Sequence, residues 1–236
     1  LMYHETFHEN THERHQLIKE WILENGLGSN NGFNACISSR CTLQCAACLR
    51  QSLAAQGKHP GFSGGDLTLD DTKKLFKYFK QVQINGQVSD PIFNPHLEEI
   101  LKYMYESEDA DMTWSNLHTA ATAKKYKKPY YKKLFEANPD ILWIFGIDGL
   151  PEESHLYRKN QDGKFLFDMM CMAADMGLRT TWQWIVFNYN ENHIEQGKEL
   201  ARKYNLDLEI THSSRWDGLE ELKPTNLEYT KEYGSG

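Results

Sequence analysis

The fold of this chain is decided by the stretch Cys41-Thr-Leu-Gln-Cys45-Ala-Ala-Cys48. Three of the five cysteines in the sequence lie there, in the pattern C-x3-C-x2-C. So dense a group of thiols is typical of metal or cluster ligation, and not of a secreted disulfide framework. A structural metal site normally uses four protein ligands, so three cysteines leave one metal open for a small molecule. The loop therefore predicts a catalytic metal centre.

The alternative to a catalytic centre is a zinc knuckle in which Cys36 or a histidine supplies the fourth ligand. The sequence lacks a fourth ligand at compact zinc-type spacing, which disfavours this interpretation. Cys36 is predicted to lie on the strand before the loop, and Cys171 lies within an apolar helical stretch. Both are therefore interpreted as small buried hydrophobic residues and not as ligands.

Short apolar stretches alternate with amphipathic segments on both sides of this loop. Six strands alternating with helices predict a parallel sheet with right-handed crossovers. A leading helix is predicted over residues 11–25. The predicted strands are 33–38, 82–85, 112–115, 141–147, 180–187 and 206–211, and the predicted helices between them are 68–81, 95–106, 128–137, 164–176 and 192–204.

Six β/α units fall short of the eight that close a barrel, so a partial barrel and a doubly wound sheet both fit the pattern. In either α/β fold the chemistry lies at the C-terminal ends of the strands, and the cysteine loop directly follows the first strand. We expect a helical lead-in over 1–30, a core over 31–216, and a tail over 217–236. The Gly-Ser-Gly end of that tail is similar to a linker or a truncated end.

Composition and charge exclude several classes of protein. Hydrophobic residues make up 40% and charged residues 25% of the chain, which is typical of a globular domain and not of disorder. The formal net charge of −7 disfavours binding to nucleic acid. No apolar run approaches the ~18 residues of a membrane span, and the first residues do not form a secretory signal. The sequence therefore predicts a cytoplasmic protein with no membrane partner.

From about Phe33 to Trp216 the sequence resembles the radical S-adenosylmethionine superfamily. The resemblance implies a [4Fe-4S] cluster on Cys41, Cys45 and Cys48, whose open iron is chelated by the amino and carboxylate groups of S-adenosylmethionine. It also implies an enzyme in which the reduced cluster cleaves this cofactor to a 5′-deoxyadenosyl radical that removes a substrate hydrogen atom. An external one-electron donor of the flavodoxin or ferredoxin kind is expected, and the expected architecture is a partial, three-quarter (β/α)6 TIM-like barrel.

Two further segments are similar to those that bind the cofactor in this family. Residues 84–91 resemble the segment with the Gly-Glu-Pro motif that receives the cofactor's amino group, and Asp90 replaces the glutamate. Residues 145–149 and Arg158 resemble the Ser-Ile-Asp-Gly…Tyr-Arg run, which implies a bidentate contact between this arginine and the cofactor carboxylate. Gly146 replaces the serine of that run, so one hydrogen bond to the cofactor is expected to be missing.

A third segment, Trp114-Ser-Asn, is expected to end the third strand, where relatives often carry Thr-Asn. Ala47 replaces an aromatic residue that packs beside the adenine in relatives, so the adenine needs another apolar wall. The cofactor-binding residues expected from the resemblance and from their places at strand ends are Gly86, Ser89, Asp90, Pro91, Ser115, Asn116, Asp148, Arg158 and Asn188.

Substrate contacts are expected after the sixth strand, at His212, Arg215 and Trp216. The run from Cys45 to Arg50 is similar to the subgroup that carries SPASM or twitch extensions, although this chain lacks the extra cysteines of such an extension. That resemblance favours a peptide or protein substrate, with a small-molecule substrate such as a nucleoside or nucleotide as the alternative. A zinc-bound interaction module and a barrel that binds the cofactor without cleaving it are two further alternatives.

Overall fold

The computed structural model describes residues 32–58, 65–86, 88–122 and 127–230. Strands and helices alternate within these ranges, as the sequence predicts, and the predicted helix over 11–25 lies outside them. The elements in chain order are β1 (Gly32–Ala35), α1 (Leu49–Ala55), α2 (Leu69–Phe76), β2 (Gln81–Ile84), α3 (Leu97–Glu106), β3 (Asn116–Thr119), α4 (Lys128–Ala137), β4 (Leu142–Gly146), α5 (Gly163–Asp175), β5 (Thr180–Ile185), α6 (Ile194–Lys203) and β6 (Asp207–Thr211).

The six strands form one parallel sheet in the order β1-β2-β3-β4-β5-β6. Right-handed crossovers between sequential neighbours place every helix on the same face of the sheet. A doubly wound sheet has helices on both faces, so the strand order identifies the partial (β/α)6 barrel. In the described part of the chain, no strand pairs with the outer side of β1 or of β6.

The core lies between the sheet and the helices and is rich in large aromatic rings. Trp143 packs edge-on against Phe135 of α4, with 4.9 Å between the ring centroids. Trp182 and Trp184 lie two positions apart on β5, so both point to the helical side of the sheet, where they are fully buried. Gly197 of α6 makes room for Trp184, because a Cβ at that glycine would lie 2.3 Å from the indole ring. Burying rings of this size stabilises the fold by roughly 2–3 kcal/mol each.

Most elements match their predicted bounds within a few residues, and α4 occupies 128–137 as predicted. The N-terminus of α2 is also confirmed: Thr68 accepts a hydrogen bond from Asp71 N at 3.3 Å and forms a capping box with it. The helix ends at Phe76, five residues before its predicted end at 81. Within the described ranges, no helix has the length and the apolar character that crossing a membrane requires.

The predicted third strand over 112–115 is wrong, because residues 112–114 form a turn and β3 begins at Asn116. Asp111 Oδ1 accepts a hydrogen bond from Thr113 N at 2.9 Å, and Ser115 Oγ donates one to Asp111 O at 2.7 Å. Such local bonds between side chains and backbone compete with strand pairing. The strand therefore starts after this turn, and Asn116 begins β3 instead of following it.

The residues after β6 pack back onto the loop that follows β5. Glu191 in that loop accepts hydrogen bonds from Thr225 N at 2.9 Å and Asn226 N at 3.0 Å. Asn188 N donates to Leu222 O at 3.0 Å. This tail therefore braces the C-terminal edge of the sheet beside β5 and β6.

Candidate active site

The cysteine loop begins at the C-terminal end of β1 and leads into α1. Cys41, Cys45 and Cys48 are each half-buried, and none of them forms a disulfide. Leu43 is buried in the hydrophobic core and so attaches the loop to the rest of the fold. Cys48 N donates a hydrogen bond to Cys45 O at 3.1 Å, which closes a turn between the second and third thiols. The loop thus presents three thiols at the edge where α/β barrels carry their chemistry.

The surroundings of two of these thiols favour the protonated form when no metal is bound. Burial raises the pKa of Cys41 to about 12, and the nearby Asp90 carboxylate acts in the same direction. Burial raises the pKa of Cys45 to about 11, although the positive charge of Arg158 opposes that effect. A metal or cluster that binds here must therefore displace protons, since only the thiolates are ligands.

The donor set fits an iron–sulfur cluster. Soft thiolate ligands suit iron–sulfur clusters, and each cysteine of a cubane binds a different iron atom. The three thiols interact electrostatically with one another, so they share one neighbourhood. In the part of the chain that the structure describes, no three His, Cys, Asp or Glu side chains are grouped to hold a single metal ion. Cys41, Cys45 and Cys48 remain the residues that could hold a cluster.

An arginine two residues after the third cysteine ties the loop to the segment that follows β2. Arg50 Nη1 donates to Ser39 O at 2.8 Å and to Val88 O at 3.0 Å. A backbone bond from Asp90 N to Arg40 O, 2.8 Å long, joins the same two segments. The cysteine loop and the segment after β2 are therefore one braced unit.

Asp90 was expected to contact the cofactor, but its carboxylate is used inside the protein. The side chain is buried and accepts four hydrogen bonds: Oδ1 from Ile92 N at 3.1 Å and Thr119 Oγ1 at 2.9 Å, and Oδ2 from Ala120 N and Ala121 N at 2.8 Å each. Three of these donors are backbone N–H groups, which only donate, so the ionised carboxylate fits the site. Asp90 thus fastens the segment after β2 to the end of β3.

The remaining residues of this segment form a tight backbone fold. A Cβ at Gly86 would lie 1.7 Å from Ser89 O, so only glycine fits there. Ser89 Oγ is buried and has no hydrogen-bond partner among the described residues. Pro91 begins a buried 3-10 turn over Pro91–Phe93. An unpaired buried hydroxyl beside a glycine turn is an arrangement that fits a bound polar ligand.

A buried ion pair lies where the cofactor carboxylate was expected to bind. Arg158 Nε lies 2.7 Å from Asp148 Oδ2, and Ile185 N donates to Asp148 Oδ1 at 3.0 Å. The guanidinium occupies the space above Gly146, where a Cβ would lie 2.9 Å from Arg158 Nη2. A side chain at position 146 would therefore meet the guanidinium, and glycine leaves it room. Since Arg158 also lowers the pKa of Cys45, its charge reaches the cysteine loop.

The residues that follow Arg158 hold the cysteine loop, and no pattern in the sequence predicts this role. Gln44 N donates to Lys159 O at 3.1 Å, and Asn160 Nδ2 donates to Thr42 O at 3.3 Å. Asn160 has a φ of 74°, in the left-handed region that asparagine tolerates better than most residues. Gln161 Nε2 donates to the last carbonyl of β4 at 2.8 Å and to the carbonyl just after β3 at 2.6 Å. Segment 159–161 therefore joins the loop to two strand ends.

An aromatic cluster lies beside the ion pair. Tyr157 packs on Phe187 with 4.4 Å between ring centroids, and Tyr189 stacks on the same ring at 5.5 Å. Trp216 meets Phe187 edge-on at 6.0 Å, and Tyr189 Oη donates to Asp148 O at 3.0 Å. These rings form an apolar wall beside the ion pair. The position of Phe187 and Tyr189 directly after the fifth strand was the signal that could have identified them.

Two of the expected cofactor residues lie elsewhere or are occupied by other contacts. Ser115 precedes β3 at the N-terminal side of the sheet, and its Oγ accepts a hydrogen bond from Val82 N at 3.1 Å. Asn188 is exposed, and its Nδ2 donates to Glu221 O. Ser115 therefore supports the sheet, and Asn188 supports the tail. Asn116 lies on the strand itself, with its side chain on the face away from the helices.

The three expected substrate residues follow β6 in chain order but have different surroundings. His212 is half-buried, with its ring 5.5 Å from that of Tyr229. Arg215 is exposed, and its charge reaches Tyr157. Trp216 belongs to the aromatic cluster. The structure thus brings Trp216, and electrostatically Arg215, to the ion pair of Asp148 and Arg158.

The chain has the fold of radical S-adenosylmethionine enzymes, over most of its length and at low sequence identity. SuiB of Streptococcus suis is matched with a TM-score of 0.62 at 12% identity, over 95% of this chain and 49% of SuiB. The enzyme anSMEcpe with bound AdoMet is matched with a TM-score of 0.51 at 16% identity, over 76% of this chain and 48% of that one. TYW1 with a lysine-pyruvate adduct bound is matched with a TM-score of 0.50 at 14% identity, over 84% of this chain and 74% of that one.

The chain therefore spans about half the length of SuiB and of anSMEcpe. Other matched structures show SuiB bound to S-adenosylmethionine or to its precursor peptide SuiA. No protein-family model and no curated protein matches the sequence.

Proposed function

We propose that this chain is the catalytic core of a radical S-adenosylmethionine enzyme that acts on a peptide or protein. The observation that carries the proposal is the loop of Cys41, Cys45 and Cys48, which offers three thiols at the C-terminal edge of a six-stranded partial barrel. Structural matches to SuiB with its precursor peptide and to anSMEcpe with peptides bound support the peptide substrate. A flavodoxin- or ferredoxin-like protein is the proposed electron donor.

The three cysteines would hold a [4Fe-4S] cluster, which supplies one-electron cleavage of S-adenosylmethionine at its open iron. The residues around the loop would bind and orient the cofactor. Ser89 offers an unpaired buried hydroxyl to the cofactor. The aromatic cluster around Phe187 offers an apolar surface to the adenine and excludes water from that side.

Arg158 is not free to use all of its N–H groups on the cofactor carboxylate, because it is already paired with Asp148. Its Nε is paired with Asp148, while Nη2 makes a longer contact of 3.3 Å with Asp148 Oδ1. A guanidinium has five N–H donors, so it can keep the ion pair and still donate to a second carboxylate. We therefore assign Asp148 to positioning Arg158, and Arg158 to binding the cofactor carboxylate.

Anaerobic reconstitution with iron and sulfide tests the proposal. Since a cubane contains four irons, the chain should bind about four irons and four sulfides and turn brown. Incubation with dithionite and S-adenosylmethionine should then release 5′-deoxyadenosine. Alanine variants at Cys41, Cys45 or Cys48 should lose the cluster, whereas the matched control Cys171→Ala, on α5, should keep it.

The outcomes separate the alternatives. A colourless protein with one zinc ion per chain contradicts the proposal and supports the interaction module. A brown protein that binds S-adenosylmethionine and releases no 5′-deoxyadenosine supports the alternative of a barrel that binds this cofactor without cleaving it.

A further inference from the structure

The inner face of the sheet, away from the helices, carries a row of carboxamide side chains. Asn34 of β1 pairs in register with Gln83 of β2, and Gln83 pairs with Asn116 of β3. We call these three residues the amide row. Asn85 lies two residues beyond Gln83 on the same face, and His118 lies two residues beyond Asn116. The C-terminal side of the sheet, towards which these two residues lie, also bears the cysteine loop.

The inner face is open and polar on β1, β2 and β3. Asn34 and Gln83 are exposed, and Asn116 and His118 are half-buried. The interior of a closed barrel is filled mainly by branched apolar side chains. Burial lowers the pKa of His118, so this ring is neutral at neutral pH and adds no charge. The face therefore offers neutral donors and acceptors to a ligand.

Two acceptors on this face lack a donor. Asn85 Oδ1 and Asn116 Oδ1 are buried, and no group among the described residues donates a hydrogen bond to them. Asn85 Nδ2 is used, because it donates to Asn34 Oδ1 at 2.8 Å. Buried carbonyl oxygens are normally paired, so two unpaired ones on neighbouring strands point to a ligand that supplies N–H groups.

The charge on the inner face disfavours phosphate-bearing ligands. Asp207 and Glu209 of β6 pair in register with Thr181 and Gln183, and both acidic residues are exposed. No lysine or arginine occupies an inner-facing position of the six strands. A nucleotide would bring negative charge beside these carboxylates with no cation on the strands to offset it.

We propose that the amide row, together with Asn85, binds the main chain of an extended segment of the peptide substrate. The N–H groups of that segment donate to Asn85 Oδ1 and Asn116 Oδ1. Neighbouring strands lie about 4.8 Å apart, so the row spans about 10 Å, which is about three residues of extended peptide. The inference rests on the proposed function, and it adds the recognition residues and the kind of group that they recognise.

Recognition of the main chain has a chemical consequence for the substrate. Amide groups recur at every residue of a peptide, so the row holds the backbone in place and does not select side chains. Selection among side chains is then left to the residues nearer the cysteine loop.

The test measures binding of N-acetyl-tetraglycine amide to the isotope-labelled full chain by NMR titration. One hydrogen bond to a buried acceptor corresponds to about tenfold in affinity, so Asn116→Leu should weaken binding about tenfold. Gln83→Leu, at an exposed position, should weaken it about threefold. The matched control Gln196→Leu, exposed on α6, should bind the probe as the unchanged chain does.

A second probe isolates the N–H groups. An analogue of the tetraglycine probe in which an ester oxygen replaces one central N–H should bind the unchanged chain about tenfold more weakly. The analogue and the probe should bind Asn116→Leu alike. Equal binding of the probe to all variants overturns the inference, and so does binding of uridine that displaces the probe from this face.

The titration requires neither a reductant nor cofactor cleavage, so it separates the two proposals. A chain that binds the probe as expected but assembles no cluster contradicts the proposed function and leaves the amide site standing. A chain that releases 5′-deoxyadenosine but binds the probe equally in all variants contradicts the amide site alone.

Discussion

The guanidinium of Arg158 lies directly over Gly146, so close that a Cβ at position 146 would come within 2.9 Å of Nη2. The same guanidinium is paired with the fully buried Asp148. The glycine, the aspartate and the arginine therefore form one unit at the end of β4. A substitution at the glycine should act through the arginine.

Gly146→Ser introduces the serine of the motif that residues 145–149 resemble, and it should destabilise this chain. The added side chain meets the Arg158 guanidinium, and overpacking of this kind costs about 1–3 kcal/mol in the free energy of unfolding. Urea denaturation measures the change. Gly32→Ala is the matched control, because a Cβ there meets its nearest neighbours at an ordinary 3.7 Å. Equal stabilities of the two variants would show that the arginine moves away at no cost.

Asp90→Asn should destabilise the chain even though the two side chains have nearly the same shape. Both oxygens accept from backbone N–H groups, Oδ1 from Ile92 N and Oδ2 from Ala120 N and Ala121 N, so the NH2 of an asparagine faces at least one donor in either orientation. Leaving a buried N–H group unpaired costs roughly 1–3 kcal/mol, and we expect a loss of that size in the free energy of unfolding.

The control for Asp90 is Asp168→Asn, which changes an exposed aspartate on α5. It should shift the denaturation midpoint little. A stable Asp90→Asn variant that loses affinity for S-adenosylmethionine would instead place the carboxylate on the cofactor.

His118 should make the stability of the chain depend on pH. Burial lowers the pKa of this ring below its ordinary value of 6.5. Well above pH 6.5 both the folded and the unfolded state are neutral at this residue, so its contribution is fully present. As the pH falls below 6.5 the unfolded state binds the proton first, and stability is lost until the folded-state pKa is passed.

His118→Gln should therefore lose less stability than the unchanged chain between pH 7 and pH 5.5, in paired urea denaturations. His155→Gln, at an exposed position, should follow the unchanged chain. An identical pH dependence in all three proteins would contradict the assigned effect of burial.

Asn160 tests how firmly segment 159–161 holds the cysteine loop. Its φ of 74° suits asparagine or glycine and disfavours a β-branched residue, so Asn160→Val should lower the free energy of unfolding by about 1–2 kcal/mol. Asn160→Gly keeps the backbone angle and loses only the hydrogen bond to Thr42 O. We expect the valine variant, and not the glycine variant, to lose iron faster to a chelator after reconstitution.

The features that sequence reasoning predicted well are local ones. The bounds of α4 follow from helical periodicity with a proline in its first turn, and the cap of α2 follows from Thr68 and Asp71. The place of the cysteine loop after β1 follows from the order of segments. The prediction of the third strand was wrong for a local reason too, because hydrogen bonds of Asp111 and Ser115 stabilise a turn in residues of high β propensity.

The site depends on contacts between residues far apart in the chain, which no spacing pattern shows. Asp90 accepts hydrogen bonds from Ala120 N and Ala121 N, about thirty positions later, and the motif did not indicate this pairing. The bond from Asn160 to Thr42 O spans 118 positions. Motifs indicated which residues to expect at the site, and the folded chain shows which of them contact each other.

Over the ranges that the structure describes, the outer sides of β1 and β6 are unpaired, which bears on how the proposed peptide substrate would reach the inner face of the sheet. A closed ring of strands admits a chain only from its ends, so a polypeptide would have to be threaded or folded into a hairpin. An opening between β6 and β1 would let an extended segment enter from the side, so under the proposed function modification in the middle of a long polypeptide would need no free terminus.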